Sequence, residues 1–393
     1  MSISSRQRLL AVLGCQPPDH LPCSFMLFNG LKVGCRDYLE FIQRQLDMGL
    51  DAYVQIPPRP PVVINDHYNL HGLPVRYPPN VSIQEWKENG ILCKTYRTPV
   101  GTLRSEVRPD DEWRWGSHIP FLDDYLVGRS QKFIIDGPEN LPALEALLAA
   151  PSLEEVLAFR KESAPVMDFA QQHDLLITGG WGVGADMIGW LYGLQRMIFS
   201  AYDNEQFIRD LLSIIANWNR ARMEIVLDAG IDLYIKRAWY ENCDFWSPKS
   251  YRKFILPILK KDVDFAHNHG VKFGYIITSN CMPLLDQIAE AGVDVVMGVD
   301  PSQWDLSIAK AKLGGKVCLW GGVNGHLTVE RGTPDEVRAE VRRAIEILAP
   351  SGGFILSPVD NVREYNPKVQ ENVVALIDEW QQISKGQSQE LSN

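Results

Sequence analysis

The pattern that decides the fold is clearest in residues 271–322, which read VKFGYIITSNCMPLLDQIAEAGVDVVMGVDPSQWDLSIAKAKLGGKVCLWGG. Three short apolar runs, at 271–278, 293–300 and 316–322, alternate here with loops and with segments of helical periodicity. The runs are almost continuously apolar, which is typical of strands that are covered on both faces of a parallel sheet. This stretch therefore predicts successive βα units.

The same unit extends along the chain in both directions. Further strands are predicted at 175–180, 231–239 and 353–358, so that six βα units occupy the C-terminal part of the chain. Two more strands are predicted at 21–27 and 50–56. Eight parallel strands alternating with helices make a closed (β/α)₈ barrel, and an open doubly wound sheet is the competing α/β arrangement.

We predict one domain over residues 1–393. Residues 58–136 break the alternation, because they are rich in Pro, Trp, Tyr and charge, and residues 91–107 within them read as a hairpin. We interpret 58–136 as an insertion after the second strand that lies over the mouth of the barrel. The final segment, 384–393, reads as a solvated tail.

Composition narrows the class of protein. Of the 393 residues 45% are apolar and 22% are charged, which predicts a large core and excludes a fibre or a disordered chain. A formal charge of -10 without any basic run argues against nucleic-acid or membrane binding. The seven cysteines include no C-x-x-C pair, and this usage is typical of reduced thiols in the cytoplasm. We therefore expect a cytoplasmic protein with a small-molecule substrate.

In a barrel, the loops that follow the strands converge on the active site. The predicted strand ends combine acids, amides, a guanidinium and indoles, which favours a partly aromatic cavity with a few orienting polar groups. The candidate catalytic residues are Glu241, Asp300, Asp360 and Arg237, and the candidate substrate-binding residues are Trp181, Trp239, Tyr240, Asn280, Trp320, Asn324 and Asn361. Two structural alternatives stay open: Asp300 can cap a turn, and Arg237 can pair with Glu241.

An ordered series of segments resembles the uroporphyrinogen decarboxylase superfamily. The series is RQRLLAVLGCQPPDHLP (6–22), RTPVGTL (97–103), FWSPKSYRKFILPILKKDVDFAHNHGVKF (245–273), PLLDQIAEAGVDVV (283–296), GKVCLWGGVN (315–324) and NPKVQENVVALIDEW (366–380). The resemblance implies a (β/α)₈ barrel that is often a homodimer. It also implies one of two chemistries, which are cofactor-free decarboxylation of a tetrapyrrole and zinc-assisted methyl transfer to or from a corrinoid protein.

The sequence departs from both patterns at decisive positions. Ile276, Thr278 and Asp360 stand where the methyltransferases of this superfamily place their His-x-Cys and Cys zinc ligands. The decarboxylases carry an Arg-Gln-Ala-Gly-Arg segment after the first strand and an Asp after the second, whereas this chain reads SFMLFNG (24–30) and YVQIPPRP (53–60).

The resemblance leads us to predict a methyltransferase that moves a methyl group between a small methylated or methoxylated compound and a corrinoid protein. Glu241, His326 and Asp360 form an alternative ligand set for zinc, because they follow three different strands. A decarboxylase that acts on a carboxylated or tetrapyrrole substrate is the second hypothesis. A catalytically inactive barrel that binds a tetrapyrrole or corrinoid is the third, and a homo-oligomer is expected in each case.

Overall fold

The computed structural model describes residues 3–58 and 71–390, and for 385–390 it describes the backbone alone. The strands, β1 to β11 in chain order, are Tyr53–Gln55, Ser82–Glu88, Ile91–Thr98, Gly101–Val107, Ser130–Lys132, Leu176–Gly182, Leu233–Arg237, Lys272–Ile276, Val295–Val299, Cys318–Asn324 and Phe354–Val359. The α-helices, α1 to α14, are Ser5–Leu13, Asn29–Val33, Tyr38–Asp47, Leu141–Leu147, Leu153–His173, Ala185–Leu191, Leu194–Asp203, Glu205–Leu227, Pro248–Ser250, Leu256–Asn268, Leu285–Ala291, Leu306–Leu313, Pro334–Leu348 and Pro367–Glu390.

The main sheet has seven parallel strands in the order β1-β6-β7-β8-β9-β10-β11. Each strand from β6 onward pairs with its predecessor in the sheet, so the order never reverses. A doubly wound sheet needs a reversal of strand order, and this competing arrangement is therefore excluded. The strictly sequential order is that of a TIM-type barrel, with the helices between successive strands.

The two edges of this sheet are joined by the segment that was expected to be the first strand. Cys23 forms a parallel bridge with Leu356 of β11 at one edge. The Cys23 carbonyl accepts a 2.8 Å hydrogen bond from the N–H of Asp51, beside β1 at the other edge. The prediction of a strand over 21–27 is thus wrong, since a single bridge forms. The ladder ends at Met26, whose N–H donates to a serine hydroxyl of β11 instead of a backbone carbonyl.

An apolar cluster fills the interior of the barrel. Helix α1 contributes Leu9 and Leu13, and the strands contribute Ile235, Met297 and Trp320 among others. These side chains are at most 2% exposed, so the interior is a packed core and not a channel. This core forms the floor beneath the strand ends.

A second sheet lies outside the barrel strands. It is antiparallel, with the order β2-β3-β4-β5, and β3 meets β4 across a tight turn at Thr98 and Gly101. Strand β2 is exposed along its whole length, whereas β3 is mostly buried. Part of the predicted insertion, residues 59–70, lies outside the described residues.

Two observations concern the chain as a whole. The last helix, α14, continues to Glu390 and so includes most of the segment predicted as a tail. No helix within the described ranges has the length and the apolar character needed to cross a membrane.

Candidate active site

A cavity of about 530 Å³ opens at the carboxyl ends of the parallel strands. It is lined by Leu27, Asn29, Trp181, Arg237, Trp239, Thr278, Ser279, Asp300, Gln303, Val359, Asp360, Asn361 and Arg363. Six predicted site residues therefore share one cavity: Arg237, Asp300, Asp360, Trp181, Trp239 and Asn361. Asn29 and Gln303 were missed, because Asn29 begins helix α2 and Gln303 lies in the turn before α12, and neither directly follows a predicted strand.

Other predicted site residues do not line this cavity. Trp320 is fully buried in the barrel interior, where its indole N–H donates to the carbonyl of Ser24 at 2.8 Å. Asn280 is exposed, and its carbonyl accepts a hydrogen bond from the N–H of Cys243. Trp320 lies in the middle of β10 and not at its end, so its position was predicted wrongly. For Asn280 the strand-end rule identified the correct rim, but it does not determine the direction in which a side chain points.

The backbone is strained at three positions in the cavity wall. Trp181, Ser279 and Asp360 adopt left-handed conformations, with φ values of 65°, 64° and 67°. A non-glycine residue held in this region costs on the order of 1–3 kcal/mol, and such strain clusters at functional sites. Because the three residues come from three different strand ends, the strain marks the cavity independently of its shape.

Arg237, the last residue of β7, binds two carboxylates. Its Nε lies 2.8 Å from Asp186 Oδ2, and its Nη2 lies 2.6 Å from Asp124 Oδ1. The Arg237 and Asp186 side chains are at most 1% exposed, so this is a buried ion pair. The expected pair between Arg237 and Glu241 does not form, because these two acids already occupy the guanidinium.

Asp186, from the start of α6, also holds the loop that follows β7. Its carboxylate accepts hydrogen bonds from the N–H groups of Trp239 at 3.3 Å and Tyr240 at 2.7 Å. Burial raises the pKa of Asp186 to about 6, although the charge of Arg237 acts in the opposite direction. Sequence reasoning missed Asp186 because it lies within a helix and not at a strand end.

Asp124 reaches the barrel from the region of the predicted insertion. Its Oδ1 accepts hydrogen bonds from the Tyr240 hydroxyl at 2.8 Å and from the Trp190 indole at 3.0 Å. Burial tends to raise the pKa of Asp124, but the charge and hydrogen bond of Arg237 outweigh this effect and lower it. Tyr240, predicted to bind substrate, thus acts behind the cavity wall through Asp124.

Glu241 lies behind the cavity and is 1% exposed. Its Oε1 accepts a 3.0 Å hydrogen bond from the N–H of Ala185, and its Oε2 accepts one of 2.5 Å from the Tyr275 hydroxyl. A side chain at Gly184 would collide with Glu241 Oε1, which explains the glycine at the start of α6. Glu241 therefore holds the start of helix α6, which carries Asp186, and does not face the cavity.

On the opposite wall, Asp300 combines the turn cap that was its structural alternative with a position in the cavity wall. It caps a turn by accepting the N–H of Ser302 at 2.9 Å, and it also lines the cavity. The amide of Asn324 donates to both Asp300 carboxylate oxygens at 3.0 Å. Asn324 was predicted to bind substrate, but the structure places it as the group that orients Asp300.

Asp360 follows β11 and faces the same space. Its Oδ2 lies 3.3 Å from Nη2 of Arg363, and both side chains are solvent accessible, at 43% and 67%. Burial raises the pKa of Asp360, with Arg363 opposing the shift and Asp300 and Glu330 adding to it. This carboxyl therefore exchanges its proton closer to neutral pH than an ordinary aspartate.

The three predicted zinc ligands do not come together. His326 pairs with Glu330 at 2.9 Å, and Glu241 is held by Ala185 and Tyr275. Across the described part of the chain, no group of three or more His, Cys, Asp or Glu side chains is placed to hold a metal ion. The set of Glu241, His326 and Asp360 therefore does not fit zinc, because two of its members have partners elsewhere.

Comparison with known proteins gives the family. A profile described as uroporphyrinogen decarboxylase (URO-D) matches residues 176–378. The chain therefore belongs to the URO-D family, as the sequence resemblance predicted. A uroporphyrinogen decarboxylase from Chlorobium phaeobacteroides is 29% identical over 292 residues, which cover 69% of this chain and 80% of that protein. One from Ralstonia nicotianae is 33% identical over 106 residues, 26% of this chain and 27% of that protein.

A solved structure shares the fold. The methyltransferase from Methanosarcina mazei is 20% identical, with a TM-score of 0.59 over 97% of this chain and 99% of that chain. At this identity the similarity establishes a common fold. The choice between the two chemistries therefore depends on the cavity.

Proposed function

We propose that this chain is a methyltransferase that moves a methyl group between a small methylated or methoxylated compound and a separate corrinoid protein. One observation carries the proposal: the cavity is small, and both of its arginines are already paired with carboxylates. Its volume of about 530 Å³ falls in the range of sites for single small molecules.

The electrostatics of the cavity disfavour a polycarboxylated tetrapyrrole. Recognition of many carboxylates calls for arginines whose guanidinium groups are available for bidentate contacts. Arg237 instead binds Asp124 and Asp186, and Arg363 binds Asp360. Asp300 and Asp360 would in addition repel an anionic substrate.

The residues of the cavity wall have different roles in the proposed methyl transfer. Trp181 and Trp239 provide an apolar surface for the methyl group, and the Arg237 guanidinium stacks 3.9 Å from the Trp239 ring centre and fixes that indole. Asp360, whose pKa is raised by burial, would take up a proton and deliver it to the leaving oxygen or nitrogen of a neutral donor. The corrinoid of the partner protein would supply the atom that accepts the methyl group.

Decarboxylation is the second candidate, and the names of the relatives favour it. The Chlorobium phaeobacteroides protein matches over 80% of its own length and is called a uroporphyrinogen decarboxylase. On this hypothesis Arg237 would exchange one carboxylate partner for a substrate carboxylate. The third hypothesis, an inactive binding barrel, predicts no turnover with either class of substrate.

The test compares the two reactions on the same purified protein. Methylated amines and methoxylated aromatics are incubated with reduced cobalamin, and methyl transfer is followed by the absorbance change of the corrinoid. Carbon dioxide release from uroporphyrinogen is measured in parallel. We expect corrinoid methylation and no carbon dioxide release, whereas the reverse result would establish the decarboxylase.

A matched pair of variants links the activity to the cavity. Asp360→Asn removes the ionisable group and keeps the side-chain shape, and asparagine tolerates the left-handed backbone at this position. Asp264→Asn makes the same change on an exposed position of α10. With a methoxylated donor, we expect Asp360→Asn to lower turnover at least tenfold and Asp264→Asn to leave it unchanged, because general acid catalysis contributes roughly 10²- to 10⁴-fold.

A further inference from the structure

The charges around the cavity are unbalanced. The carboxylates of Asp300 and Asp360 line the cavity, and those of Asp124 and Asp186 bind the wall residue Arg237. Among the residues that the structure describes, the basic groups of the wall are the guanidinium groups of two arginines. The wall and the acids bound to it thus carry a formal excess of two negative charges, which favours a cationic ligand.

Asp300 is the carboxylate best placed to meet such a ligand. Within the described ranges, no Lys, Arg or His lies within ion-pair distance of it, whereas Asp360 has Arg363. The Asn324 amide and the Ser302 N–H fix the Asp300 carboxylate without neutralising it. Asp300 and Asp360 also repel each other, and a cation between them would relieve this repulsion.

The aromatic residues of the cavity wall also favour a positively charged ligand. The Trp181 and Trp239 rings meet edge to face, with centroids 6.4 Å apart and an interplanar angle of 78°. One face of Trp239 is covered by Arg237, so the ring is already used to contact a cation. Indoles combined with carboxylates are the surroundings in which proteins bind methylated ammonium groups. The strained backbone of Trp181 shows that the fold tolerates a cost to hold this indole in the wall.

From these contacts we infer that the methyl donor is a quaternary ammonium compound, bound with its cationic nitrogen between the indoles and Asp300. The inference rests on the proposed function and narrows its substrate class. During transfer the bond between nitrogen and the methyl carbon breaks, and its electron pair stays on nitrogen. The methyl carbon then bonds to the reduced cobalt of a corrinoid, which supplies the electron pair for the new bond. The amine leaves uncharged, so this donor needs no proton from Asp360.

Binding tests the charge preference without any turnover. Choline is titrated into the purified protein by calorimetry and compared with 3,3-dimethylbutan-1-ol, which has the same shape and no charge. We expect choline to bind about tenfold more tightly than the alcohol, as a cation in contact with indoles and a carboxylate should. Equal affinities, or preference for the alcohol, would overturn the inference.

Variants locate the bound charge. Asp300→Asn should weaken choline binding about tenfold and leave the alcohol unaffected, because the asparagine can still accept the Asn324 amide. The control Asp264→Asn should change neither affinity. Thermal unfolding of each variant shows whether the fold is intact. A parallel loss of both ligands in a folded Asp300→Asn protein would contradict a charge-based role.

The outcomes separate this inference from the proposed function. Methyl transfer from methoxylated aromatics, without any preference for choline over the alcohol, would support the function and overturn the substrate class. Preferential choline binding without corrinoid methylation by any donor would support cation recognition and overturn the function.

Discussion

The two arginines of the cavity occupy opposite environments. Arg237 is 1% exposed and lies between Asp186 and Asp124, whereas the Arg363 side chain is 67% exposed and meets Asp360 alone at 3.3 Å. Burial makes Arg237 and Asp186 interdependent, because neither of them can turn to water if its partner is lost. The second pair is screened by solvent and can exchange partners at little cost.

This difference assigns separate tasks to the two sides of one cavity. The side formed by β6 and β7 is rigid, since buried acids join its loops and orient the Trp239 indole. The side formed by β9 and β11 presents Asp300 and Asp360 to solvent-filled space. We therefore expect stability to depend mainly on the first side and ligand affinity mainly on the second.

The largest effect on stability is expected from removal of the buried guanidinium of Arg237. Arg237→Ala leaves the fully buried Asp186 without its counter-charge and should lower the free energy of unfolding by about 3–5 kcal/mol. Urea denaturation followed by tryptophan fluorescence measures this change. The matched variant Arg363→Ala should cost less than about 1 kcal/mol, because its ion pair is exposed to solvent. Similar losses for the two variants would invalidate the contrast between the two sides.

An intermediate effect is expected at the brace behind the rigid side. Glu241→Gln weakens the hydrogen bonds to the Ala185 N–H and the Tyr275 hydroxyl, and it should destabilise the fold by about 1–3 kcal/mol. Tyr275→Phe removes one of the same hydrogen bonds from the other partner. In urea denaturation the double variant should lose less stability than the two single variants together, since they share an interaction. Strict additivity would show that Glu241 in the loop after β7 is not coupled to Tyr275 in β8.

The sequence predicted the open side of the cavity better than the rigid one. Asp300 and Asp360 directly follow apolar strands, so the strand-end rule was sufficient to find them. Asp186 lies in a helix, and Asp124 lies in a 3₁₀ turn more than a hundred residues before Arg237. No local pattern connects such positions, because their contact exists only after the chain has folded.

The fold itself was predictable where periodicity was strong. The strands from β6 to β11 fall within or next to the predicted apolar runs. The expected strand over 21–27 failed because the apolar pattern records burial, and an irregular segment between two sheet edges is equally buried. Trp320 was placed at a strand end but lies in the middle of β10, because the strand continues to Asn324. The orientation of Glu241 failed because a strand end gives the position of a residue and not its direction.

The smallest expected effect concerns the pH dependence of the open side. The pKa of Asp360 is raised in the folded protein, so over a window above its ordinary value of 3.8 the folded chain holds a proton that the unfolded chain has lost. Unfolding then releases a proton, and the contribution of this group to the free energy of unfolding declines as the pH rises through the raised pKa. Asp360→Asn should remove this decline.

Urea denaturation of the unmodified protein and of Asp360→Asn is measured from pH 4 to pH 7. The effect is the difference between the two proteins in how steeply the free energy of unfolding changes with pH. Because Asp360 is partly exposed, we expect a difference of less than about 1 kcal/mol across the window. Asp264→Asn, the same change at an exposed position of α10, should follow the unmodified protein throughout. If Asp360→Asn followed it as well, the carboxyl would titrate like a surface aspartate. Protonation of a neutral donor would then fall to another group, while a quaternary ammonium donor would lose nothing.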